Sequence, residues 1–126
     1  MKEIDKLSFD IIGAAIQVHQ QLGPGLLEKV YELALLKELE LRGLKSENQV
    51  YKTIDYKGQA IPKAYCIDIL IEGQVIGEIK SVEEINRIHF KQTLSYLRLT
   101  NLRLALIINF NSNILKEGIK RIVNKY

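Results

Sequence analysis

The chain has 126 residues, 47% apolar and 26% charged, with a formal net charge of +3. That length favours one domain, residues 1–126, and the composition belongs to a globular protein rather than a disordered or fibrous one. No window approaches the roughly 18 apolar residues of a membrane span, and the opening MKEIDKLSFD is too charged for a secretory signal, so the cytoplasm is the expected location.

Asp5 is placed to cap a first helix over residues 6–22, where Phe9, Ile12 and Ile16, with Ile11, Ala15, Val18 and Leu22 beside them, recur at helical spacing. Gly23-Pro24-Gly25 stops it, because proline disfavours helix at the residue before it and the glycines supply unusual backbone angles. Pro24 or Gly25 then opens a second helix reaching Arg42, with Gly43 placed to end it. From there the apolar period changes. Residues 49–56 read as a strand, Lys57-Gly58 as a turn, and residues 59–71 as a longer strand in which Pro62 marks a bulge or an edge. Glu72-Gly73-Gln74 turns the chain into a third strand, residues 75–80. Asn86 is placed to cap a helix over residues 87–99. Residues 102–110 read as a buried strand, and residues 114–124 as a closing amphipathic helix. The order α-α-β-β-β-α-β-α predicts an α+β or α/β domain with a mixed sheet.

The second and third strands carry the chemistry. Residues on a strand alternate between faces. Ile67, Ile69 and Ile71 share one face, and Cys66, Asp68 and Leu70 the other. Ile76, Glu78 and Lys80 likewise share a face. Both strands are apolar on both sides apart from Asp68, Glu78 and Lys80, as in a covered, central strand. If Glu72-Gly73-Gln74 is a three-residue loop, Ile71 pairs with Val75, and counting back sets Asp68 opposite Glu78, with Cβ atoms roughly 5 Å apart. Facing carboxylates repel, and burying them is costly unless something compensates. A divalent cation compensates both effects, and Mg²⁺ takes such oxygen ligands together with water and phosphate. Lys80, two residues beyond Glu78, can hold a phosphate or polarise an attacking water. The plainer alternative is an ion-pair cluster of Asp68 or Glu78 with Lys80.

Glu28 stands in the first turn of the second helix, with Tyr31 and Leu35 on its face. It is either a favourable acid at a helix N-terminus or a third carboxylate aimed at the hairpin. His89, Gln92 and Tyr96 recur at i, i+3, i+7 on the next helix, where Gln92 is the candidate for a phosphate or water contact. His89 can titrate near neutrality, but it and His19 read more simply as hydrogen-bonded structural residues. Arg87, Lys91, Arg98 and Arg103 are candidate backbone contacts, though scattered basic residues usually only solvate a surface. The only cysteine, Cys66, forms no internal disulfide or cysteine-based zinc site and reads as a small buried thiol. No P-loop, dinucleotide fingerprint, nucleophile elbow or HExxH motif occurs.

An acid on the first core helix, Asp68 on the second strand and Glu78-x-Lys80 on the third resemble the PD-(D/E)XK nuclease superfamily. More narrowly, Gly23-Pro24-Gly25-Leu26-Leu27-Glu28-x-x-Tyr31, Gly77-Glu78-Ile79-Lys80-Ser81 and His89-x-x-Gln92-x-x-x-Tyr96-Leu97 resemble the small bacterial GxxExxY proteins placed in it, and Leu106-Ile107-Ile108-Asn109-Phe110-Asn111 and Gly118-Ile119-Lys120-Arg121 extend the likeness. The resemblance implies a restriction-endonuclease-like core, αβββαβ, with an extra N-terminal helix and a C-terminal helix. It also implies a metal-dependent phosphodiesterase site made of Glu28, Asp68, Glu78 and Lys80, with Gln92 as accessory. The residue before Asp68 is Ile67 rather than the proline of the superfamily's name, a position that carries no ligand.

The expectation is hydrolysis of DNA phosphodiester bonds with Mg²⁺ or Mn²⁺, directed by DNA structure or ends. DNA is expected before RNA, and a homodimer is compatible with so small a domain. Asp68 and Glu78 bind the metal, with the Ile79 carbonyl as an extra ligand and Glu28 completing the shell. Two alternatives differ in class: a catalytically silent module that binds nucleic acid or a protein partner, and a structural protein whose charges form an ion-pair network.

Overall fold

Apolar stripes on three helices, packed on a sheet whose central strands are buried on both faces, build a layered α/β structure. A computed structural model describes residues 2–124. Its elements run α1 (Lys2–Leu22), α2 (Glu28–Leu41), β1 (Ser46–Tyr56), β2 (Gln59–Ile71), β3 (Val75–Lys80), α3 (Arg87–Thr100), β4 (Leu104–Asn109), a 3₁₀ turn (Leu115–Gly118) and β5 (Ile119–Val123). The strands lie side by side in chain order. β3 and β4 are parallel and joined through α3, while every other neighbour pair is antiparallel. α1 and α2 cover one face, packing Ile11, Ala15, Val18, Tyr31, Leu35 and Leu39 against Ile69, Ile71, Ile79, Leu106 and Ile108. α3 covers the other, where Leu97 meets Ile67, Leu70, Ile76 and Ala105. None of the described helices is long and apolar enough to cross a membrane.

Four expectations need correction. α1 starts at Lys2, before Asp5, and its buried stripe is Ile4, Leu7, Ile11, Ala14, Ala15 and Val18. Phe9 is 77% exposed, because the stripe facing the sheet lies on the other side of the helix from it. α2 starts at Glu28 rather than at Pro24 or Gly25. The intervening loop has Gly23 and Gly25 at φ 71° and 100°, and the Tyr31 hydroxyl ties it down, donating to the Gly23 carbonyl at 2.5 Å and accepting from the Leu26 N–H at 3.0 Å.

The expected C-terminal helix over residues 114–124 is instead the 3₁₀ turn and edge strand β5. Ile119 pairs with Ile108 and Ile122 with Ala105. These two isoleucines pack into opposite hydrophobic layers, which a strand permits and one helix face does not. Pairing also satisfies the edge of β4 that would otherwise lie open. Lastly, Ile67 packs with Leu70 and Ile76 rather than with Ile69 and Ile71, so strict alternation fails in β2 at Asp68.

Candidate active site

The loop of Glu72, Gly73 and Gln74 sets the hairpin register, pairing Ile71 with Val75, Leu70 with Ile76 and Ile69 with Gly77. The next pair would be Asp68 with Glu78, and there the ladder between main chains ends. Side chains replace it. The Asp68 N–H donates to Glu78 Oε2 at 3.1 Å, and the Ile79 N–H donates to Asp68 Oδ2 at 2.8 Å. Each carboxylate thus commits one oxygen to the opposite strand's backbone. In an extended strand a residue's N–H and C=O point to the same side, so the Ile79 carbonyl faces the same gap.

Glu78 is only 3% exposed. Burial pushes its carboxyl up to about 8, the Asp68 carboxylate adds to this, and the Asp68 N–H and Lys80 act against it. Asp68 is also raised, first by burial, with the Ile79 N–H and Lys80 opposing. Lys80, half-buried at the end of β3, makes no ion pair among the described residues. The ion-pair cluster offered by the sequence is therefore not how these three charges are arranged.

Other elements frame the pair. Glu28, at the start of α2, accepts from the Ser81 N–H at 3.2 Å, and Ser81 Oγ donates to the Leu26 carbonyl at 2.6 Å. This holds the loop before α2 against the end of β3. Asn109, buried in β4, holds the chain one residue further on: its Oδ1 accepts from the Val82 N–H at 3.1 Å and its Nδ2 donates to the Val82 carbonyl at 2.9 Å. From α3, Tyr96 reaches toward the carboxylates. Burial raises its phenol first, followed by Glu78 and Asp68. His89 is lowered by burial and then by Lys80, while Glu28 opposes. Its Nδ1 also accepts from the Asn86 N–H at 3.2 Å, completing the cap of α3. Gln92 is exposed on the same helix, without a side-chain hydrogen bond among the described residues. His19 lies elsewhere, bonded through Nε2 to the Ser112 carbonyl at 2.8 Å.

Glu32 went unnoticed in the sequence. It lies one helical turn after Glu28, is 4% exposed, and accepts from Gln49 Nε2 at 2.8 Å and Asn48 Nδ2 at 3.0 Å. Its charge raises both Asp68 and Glu78. Its spacing of four from Glu28 was the available signal.

Among the described residues, no three His, Cys, Asp or Glu side chains converge closely enough to hold an ion by themselves. Asp68 and Glu78 come together, whereas Glu28 sits beside them on Ser81. The oxygens left over, Asp68 Oδ1 and Glu78 Oε1, and the Ile79 carbonyl are hard donors, and burial makes it costly to ionise both acids without a cation. That donor set fits a divalent cation that keeps part of its water.

A fold of this order, with two such carboxylates and a lysine where its central strands part, defines a nuclease-type domain. Residues 5–122 match the PD-(D/E)XK nuclease superfamily, and the chain belongs to it. Members of that superfamily generally use divalent metal ions. No curated protein and no solved structure gives a significant match.

Proposed function

We propose that this chain is a single-domain, Mg²⁺- or Mn²⁺-dependent nuclease that hydrolyses DNA phosphodiester bonds and is directed by the structure or ends of its substrate. Within the superfamily it groups with the GxxExxY proteins, on Gly25, Glu28 and Tyr31. The observation that carries the reading is the exchange of backbone bonds by Asp68 and Glu78 where β2 and β3 part, followed on β3 by Lys80, which makes no ion pair among the described residues.

Asp68, Glu78 and the Ile79 carbonyl would hold the metal, and Glu28 would complete the shell. When bound, the metal lowers the pKa of a water molecule and neutralises charge that develops on phosphate. Lys80 sets its ammonium beside the phosphate and stabilises the same charge. Gln92 orients phosphate or water from α3. The backbone bonds to Asp68 Oδ2 and Glu78 Oε2 fix both carboxylates before substrate arrives, so little is lost in ordering them. The cytoplasm is the location this reading takes, and a homodimer would double the surface available to nucleic acid.

Calorimetric titration with Mn²⁺, wild type against Asp68→Ala, tests the site. Binding by wild type and its loss in the variant are expected. A wild type that takes up no Mn²⁺, with or without an oligonucleotide, removes the metal reading. A cleavage panel of single-stranded, duplex, flapped and four-way DNA, with RNA alongside, then reads the substrate. RNA cut in preference to DNA would overturn that choice.

A further inference from the structure

Strand β2 does not stop where the sheet does. β3 pairs with it only at Ile69, Leu70 and Ile71, yet β2 begins at Gln59 and β1 runs to Tyr56. The two strands continue past Asp68 as a ribbon with no third strand beside it. Lys57 and Gly58 close the ribbon with φ of 50° and 87°, the positive-φ turn that matches strand twist. At about 3.3 Å per residue, the part of β2 before Asp68 spans about 30 Å. Its root is anchored: Tyr65 stacks on Tyr96 of α3 with ring centroids 4.9 Å apart. A register shift between Lys52 and Ile54, with Lys63 at φ 50° across from it, adds local twist.

The ribbon exposes rings and cations together. Tyr51 and Tyr56 are 56% and 59% exposed. Lys63 Nζ lies 5.2 Å from the Tyr51 ring centre and Lys57 Nζ 5.4 Å from that of Tyr56. Lys52, Lys57 and Lys63 against Asp55 leave residues 51–65 at +2 of the chain's +3. Exposed rings with ammonium groups beside them suit a nucleic-acid strand with unpaired bases, whose faces stack on aromatics while its phosphates meet the cations. A duplex presents only base edges in its grooves, so a ribbon lying there would leave the exposed faces of Tyr51 and Tyr56 with no base to stack on. Two copies of the arm laid together would set lysine against lysine.

We propose that the β1–β2 arm grips an unpaired nucleic-acid strand, stacking bases on Tyr51 and Tyr56 and holding phosphates with Lys52, Lys57 and Lys63, and leads that strand to Asp68 and Glu78 at its root. The inference rests on the nuclease reading and deepens it by naming the form of substrate.

Fluorescence anisotropy of the full chain in EDTA, with labelled oligo-dT and a duplex of equal length, separates binding from cleavage. Stacking of one base is worth roughly five- to a hundredfold in affinity. Tyr56→Ala is therefore expected to weaken oligo-dT binding about tenfold, with an unchanged melting temperature and little effect on duplex. Lys57→Ala with Lys63→Ala should flatten the dependence of log Kd on log salt by about 1.4. Unchanged oligo-dT binding in Tyr56→Ala, equal losses on oligo-dT and duplex, or a change only in oligomeric state by light scattering each overturns the grip. If wild type never cleaves, yet its oligo-dT binding depends on Tyr56, the grip stands and the nuclease reading falls. If wild type cleaves and Tyr56→Ala binds and cleaves as before, the reverse holds.

Discussion

Replacing Glu78 by glutamine should stabilise the metal-free protein at alkaline pH. Glu78 is 3% exposed and its carboxyl is pushed from 4.5 up to about 8, by burial first and Asp68 second. A folded state that holds this proton more tightly than the unfolded chain binds more protons between those two pH values, so stability falls as pH rises through that window. Ionising such a group with nothing else moving costs about 5 kcal/mol. Water entry and side-chain relaxation relieve much of this, and we expect about 2 kcal/mol to remain. Glutamine keeps the shape and, through Oε1, an acceptor for the Asp68 N–H, but it sheds the charge. In EDTA at pH 8.5, Glu78→Gln should therefore melt about 5–10 °C above wild type, and the difference should vanish near pH 4.5. Added Mn²⁺ should raise the wild-type midpoint and leave the variant nearly unmoved, by simple binding linkage. Scanning calorimetry across pH reads all of this. A variant less stable than wild type at pH 8.5, or a wild type whose stability is flat from pH 5 to 8.5, would refute the claim that these carboxylates are held together against their repulsion.

Lys80→Met should lower the cleavage rate by about 10²–10³, the usual loss for a group that stabilises developing charge, while Mn²⁺ affinity by calorimetry holds; equal loss of both would give Lys80 a structural role. A Cβ at Gly118 would lie 2.1 Å from Ser112 Oγ and 2.7 Å from the Asn109 carbonyl oxygen, so Gly118→Ala should cost about 1–3 kcal/mol in urea denaturation, and a neutral effect would mean that this turn yields freely. Tyr31→Phe removes both hydrogen bonds to the loop of residues 23–26; we expect about 1–3 kcal/mol of lost stability and faster amide exchange at Leu26. His89 should titrate below its ordinary 6.5 by NMR, because of burial and then Lys80, and its midpoint should rise in Lys80→Met. Its contribution to the helix cap is then present above 6.5 and fades as pH falls through the lowered midpoint, since protonated Nδ1 cannot accept from Asn86.

The hairpin was legible because its information is local. A three-residue loop fixes the register of the strands it joins, and Ile71 does pair with Val75 as loop length dictates. The cap of α3 was equally legible, since Asn86 needs only its own next residues to bond. The C-terminal strand was not. Ile114, Leu115, Gly118, Ile119 and Ile122 satisfy a helical period over so few residues that only the open edge of β4 decides between helix and strand, and that edge is nonlocal. Glu32 was missed for a related reason. A glutamate on an amphipathic helix is usually a solvated charge, and the amides of Asn48 and Gln49 that bury it come from another element.

The same long-range bonds explain why the strands part at Asp68 rather than elsewhere. Gln49 stands opposite Asp68 in β1, between the pairs Asn48–Ile69 and Val50–Ile67, and its φ is 51°, outside the strand region. Its side chain runs inward, donating to Glu32 and accepting from the Cys66 thiol at 3.4 Å. α2 therefore holds β1 out of regular geometry at the residue facing Asp68, while Glu28, one turn earlier on the same helix, holds Ser81 just beyond Lys80. One helix thus grips the sheet on both sides of the gap. With the ladder interrupted on one flank and parted on the other, Asp68 and Glu78 bond to backbone groups that an unbroken sheet would have paired. The cost of bringing two carboxylates together is carried by the packing of α2 on Ile69, Ile71 and Ile79, far more apolar contact than the two acids themselves supply. A site that buries two acids where a cation is to bind needs this kind of support from outside its own residues.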